Sequence, residues 1–153
     1  MELKFKIADV KQIESHFALN PDFKPAKDNL INISYGINVS YETKDKMVSV
    51  VVSIISDNKN QPFVFNVTTM GLFNFQKVPP KKDLERIAHI NCASIIFPYI
   101  RESIADLARR AGMPPFHIDP VNFVAMYENQ EKTQAGNSRR KRGTPTEVSG
   151  MKS

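Results

Sequence analysis

The sequence predicts an α+β fold: a four-stranded antiparallel sheet, Greek-key-like, with two C-terminal helices on one face. Three observations predict it. Apolar residues alternate with polar ones in the first half of the chain, and short polar turns separate three of these stretches. After residue 80 the apolar spacing changes to three and four. Strands come first along the chain and helices after them, and segregation of this sort argues for helices on one face of an antiparallel sheet.

The first strand is read over 3–13, through Leu3, Phe5 and Ile7, with a change of phase near Asp9 and Val10. The next link, "ESHFALNPDFKPAKD" (14–28), holds Pro21 and Pro25 and is too long for a tight hairpin, so it must travel, across an edge or over a face, in a Greek-key manner. Segment 29–42 is the clearest strand, with Ile31, Ile33, Tyr35, Ile37, Val39 and Tyr41 on one face and polar residues on the other. "TKDK" (43–46) is a turn, "MVSVVVSIIS" (47–56) a β-branched strand, "DNKN" (57–60) a second turn, and "FVFNVTTMGLFNF" (63–75) the last strand. Short turns make these three an antiparallel meander.

From "VPP" (78–80) onward, Leu84, Ile87, Ala88, Asn91, Ile95, Ile100, Ile104, Leu107, Ala108 and Ala111 trace a helical stripe, with a kink or break expected at Pro98. Gly112, Pro114 and Pro115 end it. A second helix is expected with Asp119 as N-cap and Pro120 in the first turn, running to about residue 130.

The domain boundaries track the charge. Of 21 Lys/Arg and 16 Asp/Glu in 153 residues, six cations and two anions fall in 129–153. Residues 1–130 are read as one folded domain and 131–153 as a disordered basic tail. Its run Arg139, Arg140, Lys141 and Arg142 suits either salt-sensitive attraction to nucleic acid or simple solubilisation, and no aromatic is interleaved to stack on bases. The N-terminus is interrupted by charge and reads as neither signal peptide nor membrane span, and a single cysteine fits a reducing compartment, so a cytoplasmic location is expected.

The residues give no enzyme. His16, His89 and His117 fall in different elements, and with Cys92 they form no metal-ligand spacing. Cys92 and His89 are one helical turn apart, but nothing supplies an orienting group, and free cysteine is usually a small buried hydrophobe. The glycines form neither a phosphate loop nor a dinucleotide fingerprint. No catalytic residue, cofactor or metal is expected. What remains is surplus apolar surface: segment 63–75 holds four phenylalanines and no charge, and its even positions include Val64, Met70 and Leu72, so that its second face is not polar either. Phe17, Leu19 and Phe23 add to this from the link. Such a surface serves either an oligomer interface or a bound polypeptide.

"FVFNVTTMGLFNF", Phe97-Pro98-Tyr99 with Arg101-Glu102, and Pro120-Val121-Asn122-Phe123, in this order, resemble the SecB protein-export chaperone family, and "DFKPAKDNLINI" resembles that family's approach to its second strand. The similarity covers roughly residues 3–130. The resemblance implies an ATP-independent holdase that keeps unfolded preproteins in apolar grooves for export, assembles as a homotetramer (a dimer of dimers) and hands clients to the translocase motor SecA. It places Leu19, Phe23 and Pro25 in a client groove, with Met126 and Tyr127 beside them, and the surplus apolar residues Phe17, Met70 and Leu72 are read as further client contacts. It makes Glu14, Val64 and Asn66 a docking site for the motor, with uncharged Asn66 standing where the family has an acid. One branch of the family serves toxin–antitoxin modules by protecting an aggregation-prone antitoxin segment. The departure at the docking site, with the fold-defining motifs kept, fits that branch.

Overall fold

Strands form where β-branched and aromatic residues alternate, and in this computed structural model they are β1 (Phe5–Leu19), β2 (Tyr35–Lys44), β3 (Met47–Ser56) and β4 (Phe63–Phe75). The structure describes residues 4–24, 33–57, 59–114 and 116–142, with side chains to residue 136. The strands make one antiparallel sheet in the order β1-β4-β3-β2. The meander of three is as expected, and β1 closes the Greek key by pairing with the last strand. The β2–β3 hairpin turns through two residues, and Asp45 takes the left-handed conformation there (φ 56) that short polar side chains tolerate.

β1 is longer than its spacing suggests. The alternation predicts a strand ending at 13, yet pairing with β4 continues to Leu19↔Phe63. Phe17 and Leu19 therefore stand on a strand, not in the crossing link. The cause is two register shifts, between Ile7 and Asp9 and between Gln12 and Glu14. Each inserts an unpaired residue and flips the alternation. The first is the phase change near Asp9; the second hides the strand's last turn of pattern. The link proper runs from Asn20 to Ser34. Of the strand expected from 29, residues 29–32 lie outside those described, as does Pro25.

The helical segment is α1 (Lys81–Ile87), a π turn (Ala88–Cys92) and α2 (Ala93–Arg110). The break expected at Pro98 does not occur, because Pro98 and Ser94 both face solvent, where the carbonyl left without a donor can be hydrated. The irregularity sits at 88–92 instead. The extra residue of a π turn rotates the remainder of the helix by about 100°. The buried stripe accordingly passes from Leu84, Ile87 and Ala88 to Cys92, Ala93, Ile96, Phe97, Ile100, Ile104 and Ala108, while Asn91 is exposed and Ile95 and Leu107 only half-buried.

This stripe packs on one face of the sheet. Val48, Val50, Val52 and Ile54 of β3 and Val67 and Phe73 of β4 have no exposed surface there. Gly71 marks the crossing of α2 over β4. A Cβ at this position would lie 2.9 Å from Ile96 Cδ1 and 2.8 Å from Phe73 Cε2.

The chain divides into two compact units, Met1–Pro120 and Val121–Ser153. The second contains α3 (Phe123–Arg142). Its cap is Asn122, not Asp119: Asn122 Oδ1 accepts the Ala125 N–H at 3.0 Å. Starting there puts Phe123 and Tyr127, four residues apart and both buried, on one stripe. The helix passes the end expected near 130 and continues to Arg142, so residues 131–142 are helical rather than disordered. The side chains of Arg139, Arg140, Lys141 and Arg142 and all of 143–153 lie outside those described.

Candidate functional site

The sheet face away from α2 carries apolar side chains in the open. In the register, Met70 stands between Val51 and Lys11, Leu72 between Ser49 and Asp9, and Asn66 between Ile55 and His16. Val51, Val64, Met70 and Leu72 are half-buried, and Met47 and Ile55 are each 37% exposed. Polar residues are interspersed. Asn66 Nδ2 donates to Glu14 Oε1 at 3.1 Å, and the hydroxyls of Ser53 and Thr68 share a hydrogen bond of 2.9 Å. Glu14, Val64 and Asn66 thus share a face with Met70 and Leu72, through pairings that a one-residue slip would destroy.

At one end of the sheet, where β1 stops and β3 turns into β4, a cleft of about 510 Å³ is lined by Leu19, Asn20, Pro21, Ser56, Asp57, Lys59 and Val64. Leu19 is 51% exposed. Its frame is polar and hydrogen-bonded. Asn20 Nδ2 donates to Lys59 O (3.0 Å) and Gln61 O (2.9 Å), and the Asn20 N–H donates to Pro62 O (2.9 Å). Gln61 has no exposed surface, yet its amide pairs with the Ser34 backbone, accepting the N–H at 2.6 Å and donating to the carbonyl at 3.1 Å. The Asp57 N–H and carboxylate also bind Ser34. Phe23 is half-buried, its N–H directed at Asn20 O. Phe17 stacks on Phe63 with centroids 5.0 Å apart, on the α2 side of the sheet with Leu19.

Cys92, His89 and Asp106 are each set by their local surroundings. Cys92 is buried, and burial pushes its thiol up to about 12, which keeps it protonated and unreactive. His89 binds Glu85 O through Nδ1 at 2.8 Å and meets Tyr41 edge-on. Asp106 is held below the usual carboxylate range by hydrogen bonds from Arg109 and Arg110. Among the described residues no three His, Cys, Asp or Glu are grouped to hold a metal, and no helix is long and apolar enough to cross a membrane.

Residues 8–134 match the family described as preprotein translocase subunit SecB. The chain belongs to the SecB family. Curated relatives agree: it is 35% identical over 91 residues to the protein-export protein SecB of Neisseria gonorrhoeae, covering 60% of this chain and 61% of that one. It is 36% identical over 101 residues to that of Methylobacillus flagellatus, covering 64% of each. The chain thus spans about three-fifths of the length of these SecB relatives. Among solved structures it resembles the Mycobacterium tuberculosis Rv1957 SecB-like chaperone in complex with a ChAD peptide from the Rv1956 HigA1 antitoxin. The TM-score is 0.65 at 18% identity, over 76% of this chain and 90% of that one. A Streptococcus agalactiae protein of unknown function gives a TM-score of 0.56 at 8% identity, over 78% of this chain and all of that one. The SecB-like α+β fold expected from the sequence is the fold observed.

Against that family the expected client residues separate into groups. Leu19 lines the sheet-end cleft beside Val64, which the motor-docking expectation had grouped with Glu14. Met70 and Leu72 lie on the open face. In α3, Tyr127 is buried and Met126 half-buried, so only Met126 offers appreciable surface. The residues that sequence reasoning missed are Ser56, Asp57, Lys59 and, above all, Gln61. A buried glutamine before a proline at a strand's start carries no local signal, because its partner is 27 residues away.

Proposed function

We propose that this chain is an ATP-independent holdase that binds unfolded or aggregation-prone polypeptides on apolar surface, in the service of protein export. The observation that carries the reading is apolar surface on both sides of one strand. β4 is fully covered on its odd positions, yet Val64, Met70 and Leu72 are left only half-buried on the other face, beside Val51 and Ile55. Membership of the SecB family supports the same reading. A holdase works by offering adaptable side chains to many sequences, and methionine and leucine among short polar residues suit that task. No catalysis is required of it. Client contacts in this reading are Leu19, Phe23, Met70, Leu72 and Met126, and the chain acts as a homotetramer in the cytoplasm.

A second reading is a chaperone dedicated to one antitoxin. It is favoured by Asn66, which meets Glu14 with an amide where a second carboxylate would build an acidic docking face for the translocase motor. The fold likeness to a chaperone solved with an antitoxin peptide points the same way.

The test is aggregation suppression. A chemically unfolded protein is diluted into buffer with the full chain, with a chain lacking 131–153, and with Phe23→Asp. Suppression by the first two and its loss in the third is expected. If suppression fails with the tail deletion and collapses as salt rises, the basic residues 139–142 hold the partner instead, as for a nucleic-acid-binding segment.

A further inference from the structure

We propose that Gln61 is a positioning residue for polypeptide binding: it ties both ends of the β1–β2 link, so that the Leu19–Pro21–Val64 cleft stays shaped for one bulky apolar side chain of an extended partner. The inference rests on the holdase reading and adds a subsite and the residue that frames it.

The geometry is specific to this position. The link leaves β1 at Asn20 and joins β2 after Ser34. Residue 61 binds the first end through its main chain, where Gln61 O accepts Asn20 Nδ2 at 2.9 Å. It binds the second end through its side chain, where the amide makes a two-bond pair with the Ser34 backbone at 2.6 and 3.1 Å. That amide is fully buried, so its bonds are not exchanged for water. Asn20 extends the brace to Lys59 O, and Ser34 extends it to Asp57. Asn20, Asp57 and Lys59 are themselves walls of the cleft, and its apolar lining comes from Leu19, Pro21 and Val64. At about 510 Å³ the cleft is within the size range of binding pockets. An apolar lining with a polar, hydrogen-bonded rim accepts an aromatic or large aliphatic side chain while leaving the flanking backbone of the guest in water.

Gln61→Leu keeps the volume and removes both bonds to Ser34. Asn20→Asp keeps an acceptor for the Asp22 N–H and removes both donated bonds. Val52→Ala lowers stability in the covered core without touching the cleft. Binding is read by fluorescence anisotropy of an extended peptide carrying one central Phe, and of the same peptide with Ser in its place, using the full chain at a temperature where circular dichroism shows all variants folded. Gln61→Leu and Asn20→Asp are expected to weaken the Phe peptide about tenfold, the scale of one or two unmade buried hydrogen bonds, and to leave the weaker Ser peptide unchanged. Val52→Ala is expected to bind both as wild type does. Equal binding by wild type and both brace variants overturns this inference alone, as does an equal loss in Val52→Ala, which would make the effect one of stability. Should Gln61→Leu not fold, Asn20→Asp decides. Wild-type failure to bind either peptide, together with failure to suppress aggregation, overturns the holdase reading itself.

Discussion

The two faces of the sheet are built from the same strands, with residues one position apart, and they do opposite things. On the covered face Val48, Val50, Val52 and Ile54 lie sealed under α2. On the open face their neighbours Met47, Val51 and Ile55 look outward with Ser49 and Ser53. Composition separates the faces of β4 only in part, since Val64, Met70 and Leu72 share the open face with Asn66, Thr68 and Asn74. Coverage completes the separation. The covered face fixes the fold, and the open one keeps Val51, Val64, Met70 and Leu72 only half-buried.

The comparison breaks most severely on the covered face. Phe73→Ala removes a fully buried ring packed against Phe5 and should cost about 3–5 kcal/mol, read as a lower midpoint in urea unfolding. Gly71→Ala adds one methyl where Ile96 and Phe73 leave no room, and should cost about 1–3 kcal/mol by pushing α2 from the sheet. An unchanged midpoint in either variant would mean that the helix does not rest on β4 as described.

Cys92 gives the covered face a pH signature. Its thiol is raised from 9.0 to about 12 by burial, so the folded chain keeps a proton that the unfolded chain releases. Stability is therefore unaffected by this group below about 9 and falls as pH rises from there towards about 12, by up to about 1.4 kcal/mol per pH unit. Comparison with Cys92→Ala isolates this slope from lysine and tyrosine titration. Native Cys92 should also resist a thiol reagent that labels the unfolded chain at once; fast labelling of the native protein would contradict its burial.

How far the two faces were legible in the sequence differs in an instructive way. The meander of β2, β3 and β4 was readable because its signals are local: alternation, β-branching and short polar turns. The helical stripe was readable as a helix but not in phase, since Asn91 and Ile95 belong to the pattern of a straight helix and the π turn shifts burial to Cys92 and Ile96. The second half of β1 was hidden because "ESHF" has no strand pattern of its own and is held by its long partner, β4. Of the candidate site, the apolar even positions of β4 were visible. The cleft was not, because it depends on a glutamine, an asparagine and a link whose contacts are distant in sequence.

On the open face, changes should spare the fold and alter binding. Leu72→Ser replaces a half-buried side chain that faces away from α2, so its cost should stay within about 0.5 kcal/mol, while suppression of client aggregation weakens measurably. A large loss of stability would show that this face is packed in the working assembly, as an oligomer interface would be, and sedimentation of the variant would then show a smaller species.

The smallest expected effect on the fold is the most informative about partners. Asn66→Asp exchanges the amide that donates to Glu14 Oε1 at 3.1 Å for a second carboxylate. Two like charges on diagonal positions of a strand pair repel, but the site is solvent-exposed and His16 stands directly opposite, so the loss should be below about 1 kcal/mol and should shrink further with added salt. The same change places two acids within reach of each other on a face that also carries Asp9, Lys11, His16, Ser53 and Thr68 among its apolar side chains. If the open face docks the translocase motor through carboxylates, Asn66→Asp should strengthen a weak, salt-sensitive association with that motor, measured by titration against the purified motor protein. If the chain is instead dedicated to one apolar segment, the substitution should leave motor binding undetectable and should weaken or leave unchanged its hold on that segment. The neutral amide at position 66 is then part of what keeps this face selective, because a carboxylate pair left undocked beside an apolar guest disfavours it.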